Sequence, residues 1–284
     1  QLHRRMKIFL VSVLLFAAGI AQGQYYYNDL LDAKALSDRM KTYAGNKVRT
    51  VTATGYDQRG AKTADFNEWQ EVNANAGTLR IVTRNGRQIS RQLYRFDNRF
   101  RLTGITDSSG DIKSSTTYRY DGQDHIVSIK TVTADSLSDF SETEEHQWLY
   151  NASGRPSAMW RIVNGRDSSE YRFTTDENSN VADEQLYRRG TGTDPVYYYY
   201  DEANRLTDIV RYNKRAKQLL PDLMFEYDEQ DRMIQKITTL STTTPDYLIW
   251  RYLFNDKGLK TKEALFDKQK QLRGRIEYAF TFNP

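Results

Sequence analysis

Tyr198-Tyr199-Tyr200-Asp201-Glu202-Ala203-Asn204-Arg205-Leu206 is the stretch whose reading decides the fold. An aromatic, any residue, a second aromatic, then Asp, turn formers, a basic residue and an aliphatic describe a half-buried strand, a tight turn and the start of the return strand. The phrase recurs as Tyr94-Arg95-Phe96-Asp97 to Arg101-Leu102, Tyr118-Arg119-Tyr120-Asp121 to His125-Ile126, and Phe225-Glu226-Tyr227-Asp228 to Arg232-Met233. Weaker copies stand at Trp148–Asn151, Tyr171–Phe173, Tyr252–Asn255 and Tyr278–Phe280. The second aromatics fall at positions 96, 120, 150, 173, 200, 227, 254 and 280, so the steps are 24, 30, 23, 27, 27, 27 and 26. A spacing in that range marks an array of one supersecondary unit.

Each unit holds two strands and two turns, and two-strand units joined by short turns make an antiparallel meander. Residues two apart in a strand share a face. The first aromatics (Tyr118, Trp148, Tyr171, Tyr198, Phe225, Tyr252, Tyr278) and the second therefore form two ladders on one face, with equivalent rungs roughly 10 Å apart. Eight units plus the strands before Tyr94 give roughly sixteen to twenty strands, and a twisted sheet that wide curls. The expected fold is mainly β: an array of antiparallel β-hairpin repeats forming one long curled sheet over residues 47–284. Asn85-Gly86 and Asn164-Gly165 mark tight hairpins within it. Ahead of the sheet, Leu30, Ala33, Leu36, Met40 and Tyr43 recur at steps of three and four, with Asn28 as N-cap and Gly45-Asn46 as stop. This predicts an amphipathic helix within residues 24–46, capping an end or face of the sheet as terminal units of arrays do.

The aromatic–x–aromatic–Asp–turn–Arg-Leu pattern, from about Tyr94 onward, resembles the YD repeat of RHS (rearrangement hot spot) proteins. The pattern's usual Gly before Arg is kept in Gly154-Arg155 and replaced in Asn204-Arg205 and Asp231-Arg232. The resemblance implies a β ribbon spiralling toward a shell, here without the family's core segment or toxin domain. It further implies a scaffold or binding module, not an enzyme, with carbohydrate or protein at a cell surface as the partner class.

The 284-residue chain is only 38% hydrophobic, with twenty tyrosines and a mean hydropathy of -0.77, so amphipathic rings carry much of its apolar surface. Cysteine is absent, which excludes disulfides and a thiolate nucleophile. Arg4, Arg5 and Lys7 precede an apolar run from Ile8 to Ala18, and small residues follow to Gly23, the pattern of a signal peptide over residues 1–23. Its removal leaves 41 − 3 = 38 basic against 37 acidic residues, a net charge of +1. An even balance without a basic run offers no footprint for nucleic acid or anionic lipid. The expected location is the periplasm, cell surface or exterior, with the protein soluble rather than membrane-spanning.

Asp57, Asp97, Asp121, Asp201 and Asp228 occur once per repeat at one turn position, where Asp bonds its own backbone two residues on, a structural role and not an acid–base pair. Asp176–Val181 matches half a calcium loop and then fails, with Val181 in place of the turn Gly and Tyr187 in place of the closing Glu. No metal or cofactor is expected. His125 stands where other copies have Arg, and His146 is far from it in sequence. Ligand contact, if carried by a ring platform, falls to Trp148, Trp160, Trp250 and Tyr199, as a stacking surface for a glycan or a groove for a peptide.

The alternative is a porin-like outer-membrane β-barrel, whose strands also alternate. Glu226, Arg251, Arg95 and Lys236 opposite the aromatics, and Thr116, Gln147 and Ser169 among them, count against a clean lipid-facing band. Whether the apolar face points inward or outward separates the two readings. N-terminal sequencing of the exported protein is expected to begin at Gln24 or Gln22, after cleavage behind Gly23 or Ala21; an uncut N-terminus would remove the export reading.

Overall fold

The computed structural model describes residues 25–240 and 246–284; the expected signal peptide lies outside the described residues. Helix α1 spans Asn28–Gly45. The strands follow as β1 (Val48–Asp57), β2 (Lys62–Asn73), β3 (Thr78–Asn85), β4 (Gln88–Phe96), β5 (Leu102–Ser109), β6 (Ile112–Tyr120), β7 (Ile126–Asp135), β8 (Ser141–Tyr150), β9 (Pro156–Val163) and β10 (Asp167–Thr175). They continue as β11 (Val181–Arg188), β12 (Thr191–Gly192), β13 (Val196–Tyr200), β14 (Leu206–Asn213), β15 (Gln218–Tyr227), β16 (Met233–Thr239), β17 (Tyr247–Phe254), β18 (Lys260–Asp267) and β19 (Leu272–Phe282).

Each strand pairs antiparallel with its successor, β11 passing to β13 beside the two-residue β12. The last then returns to the first: β19 lies antiparallel on β1 from Val48↔Phe282 to Asp57↔Gly274. Not counting the stub β12, eighteen strands close one ring. The expected open, curled sheet of repeats is therefore corrected to a closed barrel. The physical reason is the edge: an open sheet leaves a row of unpaired N–H and C=O groups at each end, and a sheet wide enough to curl satisfies both rows by joining them.

The repeated Asp decides the local geometry. Asp201 Oδ1 accepts the backbone N–H of Ala203 at 3.0 Å and of Arg205 at 2.9 Å, while Arg205 Nε donates to Oδ2 at 2.8 Å. Asp97 and Asp228 repeat all three bonds. Asp121 does so with His125 in the Arg role, Asp176 with Asn180, and Asn151 and Asn255 keep the two backbone bonds. The half calcium loop at Asp176 is thus one more copy of the turn. The residue before the basic position is left-handed in every copy, including Asn204 at φ 59°, Asp231 at 59° and Gly154 at 71°. Asn and Asp tolerate that region better than other side chains, so they replace Gly without changing the turn. These seven turns gather at one end of the barrel, called here the Asp end. Asp57 and Asp267 build the same bonds at the far end, at the tips of β1 and β18, so Asp57 does not share the position of the others.

Beside each Asp-end turn the register slips by a β-bulge, as between Arg95 and Phe96, Arg119 and Tyr120, and Glu226 and Tyr227. The extra residue sends Leu102 and Ile105 inward together, and likewise Leu206 and Ile209. Bulges of this kind add bend and twist, which closure requires. They also explain why strict alternation misplaced Lys236, which pairs with inward Phe225 and so faces the lumen. Glu226, Arg251 and Arg95 do face outward, whereas Gln147 is outward and exposed beside Trp160.

Successive copies are locked together at this end. The hydroxyls of Tyr120, Tyr150, Tyr200 and Tyr227 donate to the carbonyls of Leu102, Ile126, Val181 and Leu206, at 2.7–2.9 Å. Arg101, Arg205 and Arg232 lie over the rings of Tyr120, Tyr227 and Phe254, and His125 stacks on Tyr150 at 4.5 Å. The aromatic ladders thus point inward. The outer face is divided: Arg80, Arg84, Arg91, Arg95, Lys113 and Arg119 occupy exposed positions on β3–β6, while Met224, Ile237, Ile249 and Phe266 form an apolar row across β15–β18.

Replacement of Asp228 by Ala is expected to cost about 1–2 kcal/mol, as loss of a side-chain cap does, and Asp228→Asn much less, since Asn151 and Asn255 already fill the role. Against desolvation, the backbone N–H and guanidinium of Arg232 hold the Asp228 carboxyl below the usual carboxylate range. A depressed folded pKa gives stability that is present above about pH 4 and lost as pH falls through the folded value. Thermal melts of Asp228→Ala and Asp228→Asn between about pH 3 and 7 check both statements.

Candidate functional site

A ring of eighteen strands leaves a lumen wider than its own side chains fill. Helix α1 occupies the Asp end of it. Leu36, Met40 and Tyr43 join the inward aromatics and aliphatics in one buried cluster, among them Leu79, Tyr94, Leu102, Trp148 and Ile209. Asn46, the C-cap, donates through Nδ2 to the carbonyl of Thr42 and to that of Lys257 in the rim turn before Leu259. At the other end of the helix the expected N-cap Asn28 is already helical. Tyr27 is the cap and makes no side-chain cap bond. Its place is taken by Glu184, buried on β11, which accepts the N–H of Tyr26 at 3.1 Å and of Tyr27 at 2.9 Å, and the hydroxyl of Tyr198 at 2.8 Å. A carboxylate beside a helix N-terminus also meets the positive end of the dipole.

Further polar ties bind α1 to the wall. His146, 7% exposed, lies between Asp29 Oδ2 at 2.6 Å from Nδ1 and Glu144 Oε1 at 2.7 Å from Nε2, and Glu144 also meets Arg161. With a carboxylate on each ring nitrogen, the ring donates twice and is held as an imidazolium. Tyr25 donates to Asp222, which Arg211 holds at 2.9 Å. Ser37 Oγ accepts the N–H of Leu102 at 3.1 Å, and Arg39 donates to Gln70 Oε1 at 3.2 Å.

One stripe of the helix, Asp29, Asp32, Arg39 and Tyr43, turns toward mid-barrel groups of the wall. Asp32 is open to water, yet its carboxyl is pushed up to about 6 by the surrounding protein and by the Asp29 charge, with Lys236 opposing. Gln92, Asp107, Thr116, Thr131 and Arg161 line the wall above it, all half-exposed, and polar where the layer below is apolar. Lys34, Asp38 and Lys41 are exposed on the opposite side of the helix and pair with one another.

The four ring residues expected to hold a ligand do not converge. Trp148 is 2% exposed and packed on Phe173, which removes it as a platform. Trp250 faces the lumen between Lys236 and Leu265. Trp160 and Tyr199 lie on the outer face, separated by β10 and β11. The glycan-binding expectation, and with it the soluble scaffold presenting an aromatic face, does not stand: the aromatic rows are the barrel's inner wall, and a ring with every edge paired is the form in which β strands can cross a bilayer. Sequence reasoning missed Asp29, Asp32, Arg39, Glu144, Arg161 and Glu184. A signal was present on the helix, since Asp29, Asp32 and Arg39 fall at steps of three and seven and share one side beside the apolar stripe.

No family model matches the chain, and no curated protein does. Among solved structures, a porin-like protein from Bacteroides uniformis ATCC 8492 aligns with 82% of this chain and 98% of its own, at 11% identity and a TM-score of 0.41. A porin-like protein from Bacteroides vulgatus ATCC 8482 aligns with 84% and 98%, at 14% identity and 0.25. The Photorhabdus luminescens Tc holotoxin pore aligns with 84% of this chain but 17% of its own, at 9% identity and 0.30. Likenesses this loose carry no weight beside the strand pairing of the chain itself. By that pairing the chain is a closed β-barrel, the porin-like architecture held above as the alternative, and not an open scaffold.

His146→Gln is expected to cost about 3–5 kcal/mol, because it leaves Asp29 and Glu144 facing each other without the cation. Faster proteolysis within residues 25–46, with the strands still protected, would show that the loss falls on the helix. Asp32→Asn is expected to raise stability at pH 7 and not at pH 4: a raised carboxyl pKa binds a proton more tightly in the folded state, so stability falls as pH rises from about 4 through 6.

Proposed function

We propose that the protein is an exported, porin-like β-barrel of the cell envelope that acts as a one-mouthed cup, not as a through-passage. The observation that carries the reading is the seat of α1 in the Asp end of a closed ring, with the exposed Asp32 of the helix beside Lys236 of the inner wall. Small polar solutes entering from the far end would meet Asp32, Lys236 and the wall of Gln92, Asp107, Thr116 and Thr131. The role on this reading is retention and binding, without a chemical step.

The absence of cysteine allows a direct test. Thr131→Cys inside the cup and Lys34→Cys on the outer side of the helix are labelled with a small maleimide and with a bulky polymer-linked one, in the folded full chain. Thr131→Cys is expected to react with the small reagent and resist the bulky one; Lys34→Cys is expected to accept both. Equal reaction of Thr131→Cys with both reagents, or with neither, overturns the cup. Carbonate-washed envelope fractions and the migration of unheated samples then report where in the envelope the barrel resides.

A further inference from the structure

The even charge balance of the chain hides an uneven placement. Three consecutive turns at the far end, between β9 and β10, β11 and β13, and β14 and β15, bring together Arg166, Arg188, Arg189, Lys214, Arg215 and Lys217, all exposed. The contact Lys214 Nζ–Asp194 Oδ2 at 3.3 Å joins the second turn to the third. Six cations stand against two carboxylates, Asp167 and Asp194, so this rim sector holds 6 − 2 = +4. The chain from residue 24 onward holds +1, which leaves the remainder of the barrel at 1 − 4 = −3. Such a charge asymmetry orients the molecule in the field of a charged surface.

Beneath the third of these turns the outer wall is apolar, whereas beneath the first two β10 and β11 present Glu170, Arg172, Asp183 and Gln185. Tyr212 and Leu219 face each other across β14 and β15, each 44% exposed. Below them Val210 pairs with Tyr197 and Pro221, continuing toward the row of Met224, Ile237, Ile249 and Phe266. Cations above exposed apolar side chains reproduce the layering of a bilayer surface, phosphates outside and acyl chains within.

We propose that this sector docks the barrel on a bilayer surface of anionic phospholipid, the cations meeting headgroup phosphates and Tyr212 and Leu219 entering the acyl boundary. A soluble polyanion would use the cations and have no use for the apolar pair, which is why the bilayer is favoured. The inference is independent of the cup, since it concerns only the outer face.

Flotation of the full chain with vesicles tests it. Vesicles of phosphatidylcholine alone are compared with vesicles containing about one third phosphatidylglycerol, at about 0.1 M salt and again at about 0.5 M. The protein is expected to float with the anionic vesicles only, and less at high salt. The triple variant Lys214→Glu, Arg215→Glu, Lys217→Glu is expected to bind about 100-fold more weakly, as each cation near such a surface contributes severalfold. Tyr212→Ser with Leu219→Ser is expected to lose about tenfold, mainly in the part of binding that survives salt. These positions are exposed, and an unchanged thermal melt shows that each variant is folded; a neutral set with Gln at the three positions serves if the Glu set is not. Equal flotation on neutral vesicles, or undiminished flotation of the folded charge variants, overturns the proposal. Binding to a heparin fragment as tight as to vesicles, with the Tyr212 and Leu219 variant unaffected, would assign the sector to a soluble polyanion and overturn it as well.

Discussion

One interaction underlies the rest of the structure: a turn carboxylate or amide oxygen that takes the backbone N–H groups two and four residues on. It fixes a left-handed residue at the same place in every copy, and thereby the bulge that follows. A bulge at the same height in successive hairpins bends the sheet the same way each time, so the bends add instead of cancelling. Closure follows from that addition, and the β1–β19 ladder is its result. Where the residue after the turn is Arg, as at Arg205, it ties its own Asp to the next aromatic ring and to the next turn, so that neighbouring copies are joined along the Asp end.

Closure creates the problem that α1 solves. Side chains of an eighteen-strand ring do not reach the axis, and an empty apolar centre would forfeit dispersion contacts. The helix supplies them with Leu36, Met40 and Tyr43, and its polar stripe is matched by wall groups that would otherwise lie desolvated. Glu184 gains three donors, and His146 lies between two acids. Buried charges of this kind add little net stability, but they are costly to leave unpaired, which favours one seat for the helix over others. In the far half of the lumen Ala53, Phe66 and Ile276 form a second, smaller apolar cluster on the β1, β2 and β19 side, and the polar groups Gln92, Asp107, Thr116 and Thr131 stand on β4–β7.

The outer wall follows different rules on different sides. On β3 and β4 long basic side chains stand among Val82, Ile89 and Leu93, and on β5 and β6 among small polar residues such as Thr106, Ser108, Ser115 and Thr117. On β15–β18 the row of Met224, Ile237, Ile249 and Phe266 is packed side by side, with Arg251 over the Phe266 ring, and the cationic turns stand above neighbouring strands. A closed barrel with its cations concentrated on one rim sector has a preferred orientation before a charged surface, which an even distribution of charge would lack.

The sequence by itself determined the strands, the turn chemistry and the shared face of the aromatics, because these depend on residues within one hairpin. Tyr198, Asp201 and Arg205 lie within eight residues, and their geometry is local. The helix was legible for the same reason, from Leu36, Met40 and Tyr43. Only the tertiary structure decided that the ring closes, since closure depends on register summed over eighteen strands and on bulges that break the period of two at Lys236 and its equivalents. It alone placed Trp148 in the core and Trp160 outside, and it alone assembled the site, because Asp29 meets His146 across 117 positions and Tyr25 meets Asp222 across 197. Pairings at that separation are set by the way the barrel wraps its helix, for which a single repeat carries no signal.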